Sequence, residues 1–291
     1  MTTAVHAPLD LWNGLDSVPA GWGPSVVTIG VFDGVHRGHA GLIERTVEVA
    51  RGHRVPTVML TFDPHPARVV GPPRDTAALS TPRRRAELAG ALGIDAVLVL
   101  PFTQELAQTE PPDFVRKVLV ERLGACAVVV GANFRFGARG AGDMATLHRL
   151  GQQFGFTAEG VDLLHLADER CSSTQVRSDL SSGDVVAAAE ALGRPHRVEG
   201  HLIEGRLKAL PATAVPKPGR YRAVLTVSRR VHIVDVVVDR DAELLVEDPP
   251  PAPGADFATL DFLAPVGTAL NLADTTQQPG CPEDCRQARC G

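Results

Sequence analysis

Through roughly the first two-thirds of the chain, apolar and polar positions alternate in blocks of two kinds. Short apolar runs rich in β-branched residues stand at 26–29, 55–62, 96–100, 127–130 and 157–164, and each reads as a strand. Between them, at 40–51, 81–92, 113–123 and 141–154, apolar residues recur at helical spacing. Strands that are apolar on both sides and separated by helices predict a parallel sheet covered on both faces. The expected fold class is therefore α/β, a doubly wound parallel-sheet domain. Residues 1–24 carry Pro, Gly and both tryptophans without periodicity and read as a lead-in with at most a short first strand.

The pattern then changes. Residues 179–191 read as helix-like, with 184–194 as a short helix ending at Gly193, followed by Arg194-Pro195. Segments 201–204, 221–228, 231–238 and 243–247 read as strands with turn signals between them, and helical periodicity is nearly absent until Phe257. This predicts a small antiparallel domain resembling a partial β-barrel. A Pro-rich connector occupies 249–253. The expected division is 1–195, 196–266 and a Cys-containing tail, 267–291, without fixed structure.

Composition narrows the partners. The chain has 291 residues, 44% of them hydrophobic, enough for one large domain or two modest ones. Net charge is −5, and the only basic run is Arg83-Arg84-Arg85, which argues against a nucleic-acid-binding face. No apolar stretch reaches the roughly 18 residues of a membrane span. No basic segment followed by an apolar one marks a secretory signal. A soluble, cytoplasmic protein is expected, with Cys126 and Cys171 as reduced thiols. Cys281, Cys285 and Cys290 crowd the tail at spacings that could bind a soft metal, but no fourth ligand is evident and the tail reading is preferred. An oligomer is compatible with all of this.

Four segments that follow strands carry candidate chemistry. Residues 29–39 read Ile-Gly-Val-Phe-Asp-Gly-Val-His-Arg-Gly-His and lead into a helix. At a helix start, the spacing of His36 and His39 brings both imidazoles near unpaired backbone N–H groups and the positive end of the helix dipole. That is a site for anionic oxygens, and two imidazole donors could stabilise charge on a phosphate during displacement. Thr61-Phe62-Asp63-Pro64-His65-Pro66 makes a rigid, partly apolar loop on which a flat ring could pack. In Gly131-Ala132-Asn133-Phe134-Arg135-Phe136-Gly137, Asn133 offers donor and acceptor and Arg135 a phosphate fork. If that segment is extended, Phe134 and Phe136 point to opposite sides. Ser172-Ser173-Thr174-Gln175-Val176-Arg177 reads structurally as a helix cap. Its functional reading has Ser173 and Thr174 bonding phosphate oxygens and Arg177 neutralising them.

Together with Leu192-Gly193-Arg194-Pro195-His196, these segments resemble the adenylyltransferase module of the bacterial bifunctional riboflavin kinase/FAD synthetase family over about 26–198. The resemblance implies the nucleotidyl transfer FMN plus ATP to FAD plus pyrophosphate, with Mg²⁺ and no covalent enzyme intermediate. It implies that His36 and His39 stabilise the α-phosphate in the transition state, with Arg177 as the third catalytic group. Gly30, Phe32, Gly34, Ser173 and Thr174 would bind ATP. Phe62, Pro64, Asn133 and Arg135 would bind the flavin. Magnesium would be held through the phosphates without a dedicated ligand set, Asn133 being the candidate side-chain contact.

The resemblance breaks down in the second domain. The family's kinase barrel carries a Pro-Thr-Ala-Asn motif, whose Thr and Asn serve nucleotide and metal. Here the stretch reads Pro211-Ala212-Thr213-Ala214-Val215, which offers no Asn. No equivalent of the family's later catalytic Glu is found either: Ala258-Thr259-Leu260-Asp261-Phe262 keeps only Leu-Asp-Phe. A degenerate module without riboflavin kinase activity is expected. Two other readings stand beside FMN adenylylation: nucleotidyl transfer with CTP or a modified flavin, and a non-catalytic flavin- or nucleotide-binding regulator.

Overall fold

The computed structural model describes residues 9–71, 75–162, 165–166, 169–250 and 256–267. The tail beyond 267, with Cys281, Cys285 and Cys290, lies outside the described residues.

Six parallel strands form the first sheet: β1 (Asp10–Asn13), β2 (Ser25–Ile29), β3 (Thr57–Asp63), β4 (Ala96–Pro101), β5 (Ala125–Gly131) and β6 (Thr157–Val161), in the order β1-β4-β3-β2-β5-β6. The run expected to reach 164 ends as a strand at Val161, and 163–164 lie outside the described residues. Helices α1 (Arg37–His53), α2 (Pro82–Ala91) and α3 (Met144–Phe154) cover the sheet. The helix expected at 113–123 is Pro111–Phe114 continued as a π-helix over Val115–Val120. Alternate strand residues feed two cores. Val27, Ile29, Leu60 and Leu98 pack with Leu119 and Leu147, while Val26, Met59, Val97 and Val129 pack with Ile43 and Ala89. The sheet is doubly wound. From β2 the chain moves outward through β3 and β4, then returns to β5 on the other side. The crevice at the carboxyl ends of β2 and β5 is therefore the topological switch point, where such sheets bind ligands.

Two helices follow, α4 (Ser173–Ser182) and α5 (Val185–Leu192). The short helix expected over 184–194 and ending at Gly193 is α5, and the helix-like stretch from 179 begins within α4. The two are broken at Gly183, whose φ of 91° lies in the left-handed region. The second body is a closed six-stranded antiparallel barrel, not a partial one: β7 (His196–Ile203), β8 (Arg206–Ala209), β9 (Gly219–Val227), β10 (Arg230–Val238), β11 (Leu244–Val246) and β12 (Asp256–Pro265), in the order β8-β11-β10-β9-β12-β7 with β7 closing on β8. Closure depends on β8, a stretch with too few apolar residues to stand out, and on β12, whose burial alternates as a strand and over which the sequence reading placed no element. Val176, Leu180, Val185, Ala188 and Leu192 of α4 and α5 share one core with Val198, Leu225 and Phe262 of the barrel. Among the described residues no helix is long and apolar enough to cross a membrane.

Candidate active site

The strand-end loops converge at the switch point. The loop after β2 is wound tightly, with Phe32 (φ 51°), Gly34 (φ 77°) and Val35 (φ 40°) all in left-handed backbone. A β-branched residue there is strained, at a cost of about 1–3 kcal/mol. Gly34 suits its position: a Cβ would stand 3.1 Å from both Leu192 and Leu79. His36 caps α1, its Nδ1 accepting from the His39 N–H at 3.3 Å. An accepting Nδ1 assigns the His36 ring proton to Nε2. The two rings stack at 3.6 Å with 20° between their planes, and the Phe32 ring tilts against His39 at 5.1 Å.

Burial first, then repulsion from His36 whenever it is protonated and from the Arg85 and Arg194 guanidiniums, holds the His39 pKa well below the ordinary histidine value. His39 is therefore neutral at pH 7. Its Nδ1 is buried without a hydrogen-bond partner. Phe32 is fully buried and backs His39 from the core. Its ring lies against Gly30, where a Cβ would stand 3.1 Å from it.

A second helix N-terminus meets the first. Ser172 caps α4, its hydroxyl accepting from the Gln175 N–H at 3.2 Å. A Cβ on Gly38 would stand 3.4 Å from the Cys171 carbonyl, which brings the start of α4 beside the start of α1. The Ser173 hydroxyl donates to the Asp33 carbonyl at 2.9 Å, and Thr174 is exposed. Two helix dipoles thus aim positive ends into one crevice.

Arg177, expected to neutralise phosphate, is paired with a carboxylate in this structure. It is 8% exposed and forms an ion pair with Asp33 at 3.0 Å. The Asp33 carboxylate also accepts from the Leu79 N–H at 3.0 Å and the Ser80 N–H at 3.2 Å. Asp33 is thereby the knot joining the β2 loop, the segment before α2 and α4. A charge this deeply buried is stable only when so fully partnered. The family-type motif contains this Asp, but nothing in its spacing revealed Arg177 as its counter-ion.

Arg85 also went unrecognised. The sequence marks it only as part of the basic run with Arg83 and Arg84, and it is 4% exposed. Its Nη1 donates to the Val31 carbonyl (3.2 Å), Thr61 Oγ1 (3.2 Å) and the Phe62 carbonyl (3.0 Å), tying together the carboxyl ends of β2 and β3. The available signal was helical spacing, which puts Arg85 on the buried face of α2 with Ala86 and Ala89.

The remaining predicted residues flank this centre. Phe62 is half-buried and packs edge-on against Phe102 at 5.5 Å, while Pro64 is exposed after a cis Asp63–Pro64 bond. Beyond β5, the Phe134 N–H bonds the Gly131 carbonyl at 2.9 Å in a turn that presents Asn133 and Arg135 to solvent. Because the segment turns, Phe134 and Phe136 do not point apart. They stack at 5.5 Å, with Phe136 in the core. Arg135 lies 3.5 Å from Asp143.

The barrel reaches this region through the 210–215 loop and through β7. Ala78 forms a parallel bridge with Thr213: its N–H donates to Ala212 at 2.7 Å, and its carbonyl accepts from Ala214 at 2.9 Å. Thr81 Oγ1 donates to Glu199 of β7 at 2.6 Å.

Comparison with known proteins agrees with this geometry. A family model described as FAD synthetase matches residues 19–175. A bifunctional riboflavin kinase/FMN adenylyltransferase of Pseudomonas fluorescens is 38% identical over 217 residues, covering 74% of this chain and 68% of the relative. The corresponding protein of Escherichia coli K12 is 32% identical over 195 residues, covering 66% and 62%. That of Listeria monocytogenes is 30% identical, covering 80% and 76%. A crystal structure titled Macrolide-efflux Protein from Streptococcus pneumoniae superposes with a TM-score of 0.77 at 21% identity, covering 91% of this chain and 94% of that one, and shows the fold.

Proposed function

The chain belongs to the FAD synthetase family, and we propose that its strand-end crevice carries out FMN adenylylation with the residues described above. As an FMN adenylyltransferase it transfers AMP from ATP to FMN. A phosphate oxygen of FMN bonds to the α-phosphorus, the bond to the β-phosphate oxygen breaks, and pyrophosphate leaves. The carrying observation is the stacked pair His36–His39 at the start of α1, facing the start of α4. A neutral His39 and the Nε2 proton of His36 act as preorganised donors to the charge that builds on the α-phosphate. The first turn of α4, with Thr174, receives the β- and γ-phosphates. Arg177 acts through Asp33 by holding the two helix starts together. Phe62 and Pro64 offer an apolar edge for the flavin ring, and Asn133 and Arg135 reach its phosphate from the opposite loop.

Magnesium fits this donor set as an ion carried on phosphate oxygens, because the crevice presents N–H donors and the Asp33 carboxylate is already committed. Asn133 is the side chain that would complete its coordination. The ion would supply positive charge to the departing pyrophosphate. Free thiols at Cys126 and Cys171 suit a cytoplasmic enzyme.

The barrel is proposed to lack riboflavin kinase chemistry. Ala212 and Ala214 have no side-chain oxygen to offer a metal, and the backbone of their loop is committed to Ala78. The chain would then depend on FMN formed elsewhere. The test is one chromatographic assay with Mg²⁺ and ATP, run in parallel on FMN and on riboflavin. FAD from FMN and no product from riboflavin is expected. FMN or FAD from riboflavin overturns the kinase loss, and silence with FMN overturns the adenylyltransferase assignment.

A further inference from the structure

Arg194 sits between α5 and β7, outside every motif assigned a role above. Its Nη1 donates to the Val35 carbonyl at 3.0 Å and the Leu192 carbonyl at 2.9 Å, and its Nη2 donates to the Gly34 carbonyl. One planar fork therefore joins the end of α5 to the two peptide units that precede His36. Those units are the strained ones, Gly34 and Val35 both having positive φ. A turn of this kind persists only where its surroundings over-determine it.

The arginine is itself held at a cost. Burial is the main reason its pKa is pushed down to about 10. Among the described residues it forms no ion pair, and the nearby Asp261 carboxylate is taken by Arg197 through two contacts of 2.7 Å. A buried cation whose hydrogen-bond partners are carbonyls is an expensive way to end a helix, because water or a glycine cap does that without charge. The expense has a counterpart at the site: Arg194 is one of the charges acting on His39, with His36 from the same element and Arg85 from α2.

We propose that Arg194 is a positioning residue for adenylyl transfer, clamping the Gly34–Val35 turn so that the His36–His39 stack is held where the α-phosphate reacts. The inference rests on the function proposed above. Because Pro195 and β7 follow directly, the same clamp fastens the first barrel strand to the catalytic loop.

The test compares the parent chain with Arg194→Ala and Arg194→Lys in FAD formation, amide exchange over 30–39 and NMR titration of the histidine rings. For Arg194→Ala, kcat per folded molecule is expected to fall about 100-fold with KM for ATP and FMN nearly unchanged, the pattern of a displaced catalytic group. Amides of the turn should exchange faster and His39 should titrate at higher pH. Added guanidinium should restore part of the rate. Arg194→Lys keeps the charge without the fork, so it should hold His39 near its parental titration and still lose most of kcat. A parental kcat per folded Arg194→Ala molecule, with parental exchange over the turn, overturns the inference while leaving the adenylyltransferase assignment intact. If Arg194→Ala does not fold, Arg194→Lys decides by the same readouts. If the parent makes no FAD, the functional assignment falls, and exchange and titration still decide whether the clamp exists.

Discussion

At the scale of single residues, the site is built from groups whose environment decides their state. His36 and His39 differ although they stack. His36 is a helix cap with its ring proton assigned to Nε2, whereas His39 is kept neutral mainly by burial, with nearby cations adding to the effect. If both act as preorganised donors, His36→Ala and His39→Ala should each lower kcat by about 10²–10³ while changing substrate affinity much less. The double variant should fall short of the product of the two losses, because the rings act as a unit. Steady-state kinetics with separately measured dissociation constants checks this. A binding protein would have no turnover to lose. The histidines were legible in the sequence because they lie within one turn of each other. Asp33–Arg177 and Arg85 were not, because the groups they hold lie on different elements and only the fold brings them together.

At the scale of elements, the strand–loop–helix order was readable from periodicity, and the loops carrying function all follow strands. The errors came where local pattern and tertiary use diverge. The β8 strand has few apolar residues and exists because β7 and β11 flank it. The sequence leaves the conformation of the loop after β5 open; the loop turns and is pinned from the side. Gly137 has φ 72°, and a Cβ on it would stand 2.6 Å from Pro111 Cγ and 2.9 Å from its nitrogen. Gly137→Ala therefore cannot be accommodated without moving the loop. It should cost about 1–3 kcal/mol in a urea titration. Since the loop bears Asn133 and Arg135, KM for FMN should rise while KM for ATP stays near the parental value. Equal changes in both would remove the flavin role proposed for this loop.

At the scale of the whole molecule, the two bodies are not independent supports. The helix that carries Ser173 and Arg177 buries Val176 and Leu180 in the barrel core, and the 210–215 loop is bonded to the segment that holds Asp33. The barrel thus has a mechanical task at the crevice. His196, fully buried at the start of the barrel with Nε2 2.8 Å from the Ala214 carbonyl, lies in that junction. Burial lowers its pKa below 6.5. As pH falls below 6.5, the unfolded chain takes up a proton that the buried ring refuses. Stability present above that pH is then lost, by up to about 1.4 kcal/mol per pH unit until the lowered folded value is reached. Denaturant unfolding at pH 7.5 and 5.5 should show this loss, and His196→Gln should reduce it. A pH-independent difference between the two chains would remove His196 from the account. By itself the sequence determined the α/β sheet, the strand-end loops and the two neighbouring histidines, because each is written in residues a few positions apart. The tertiary structure alone decided the barrel's closure, the buried partners of Asp33 and the hold of Arg194 on the catalytic turn. The pairing of β12 with β7, the Asp33 partners and the Arg194 contacts with the turn join residues some 50 to 160 positions apart, and packing, not local pattern, brings such residues together.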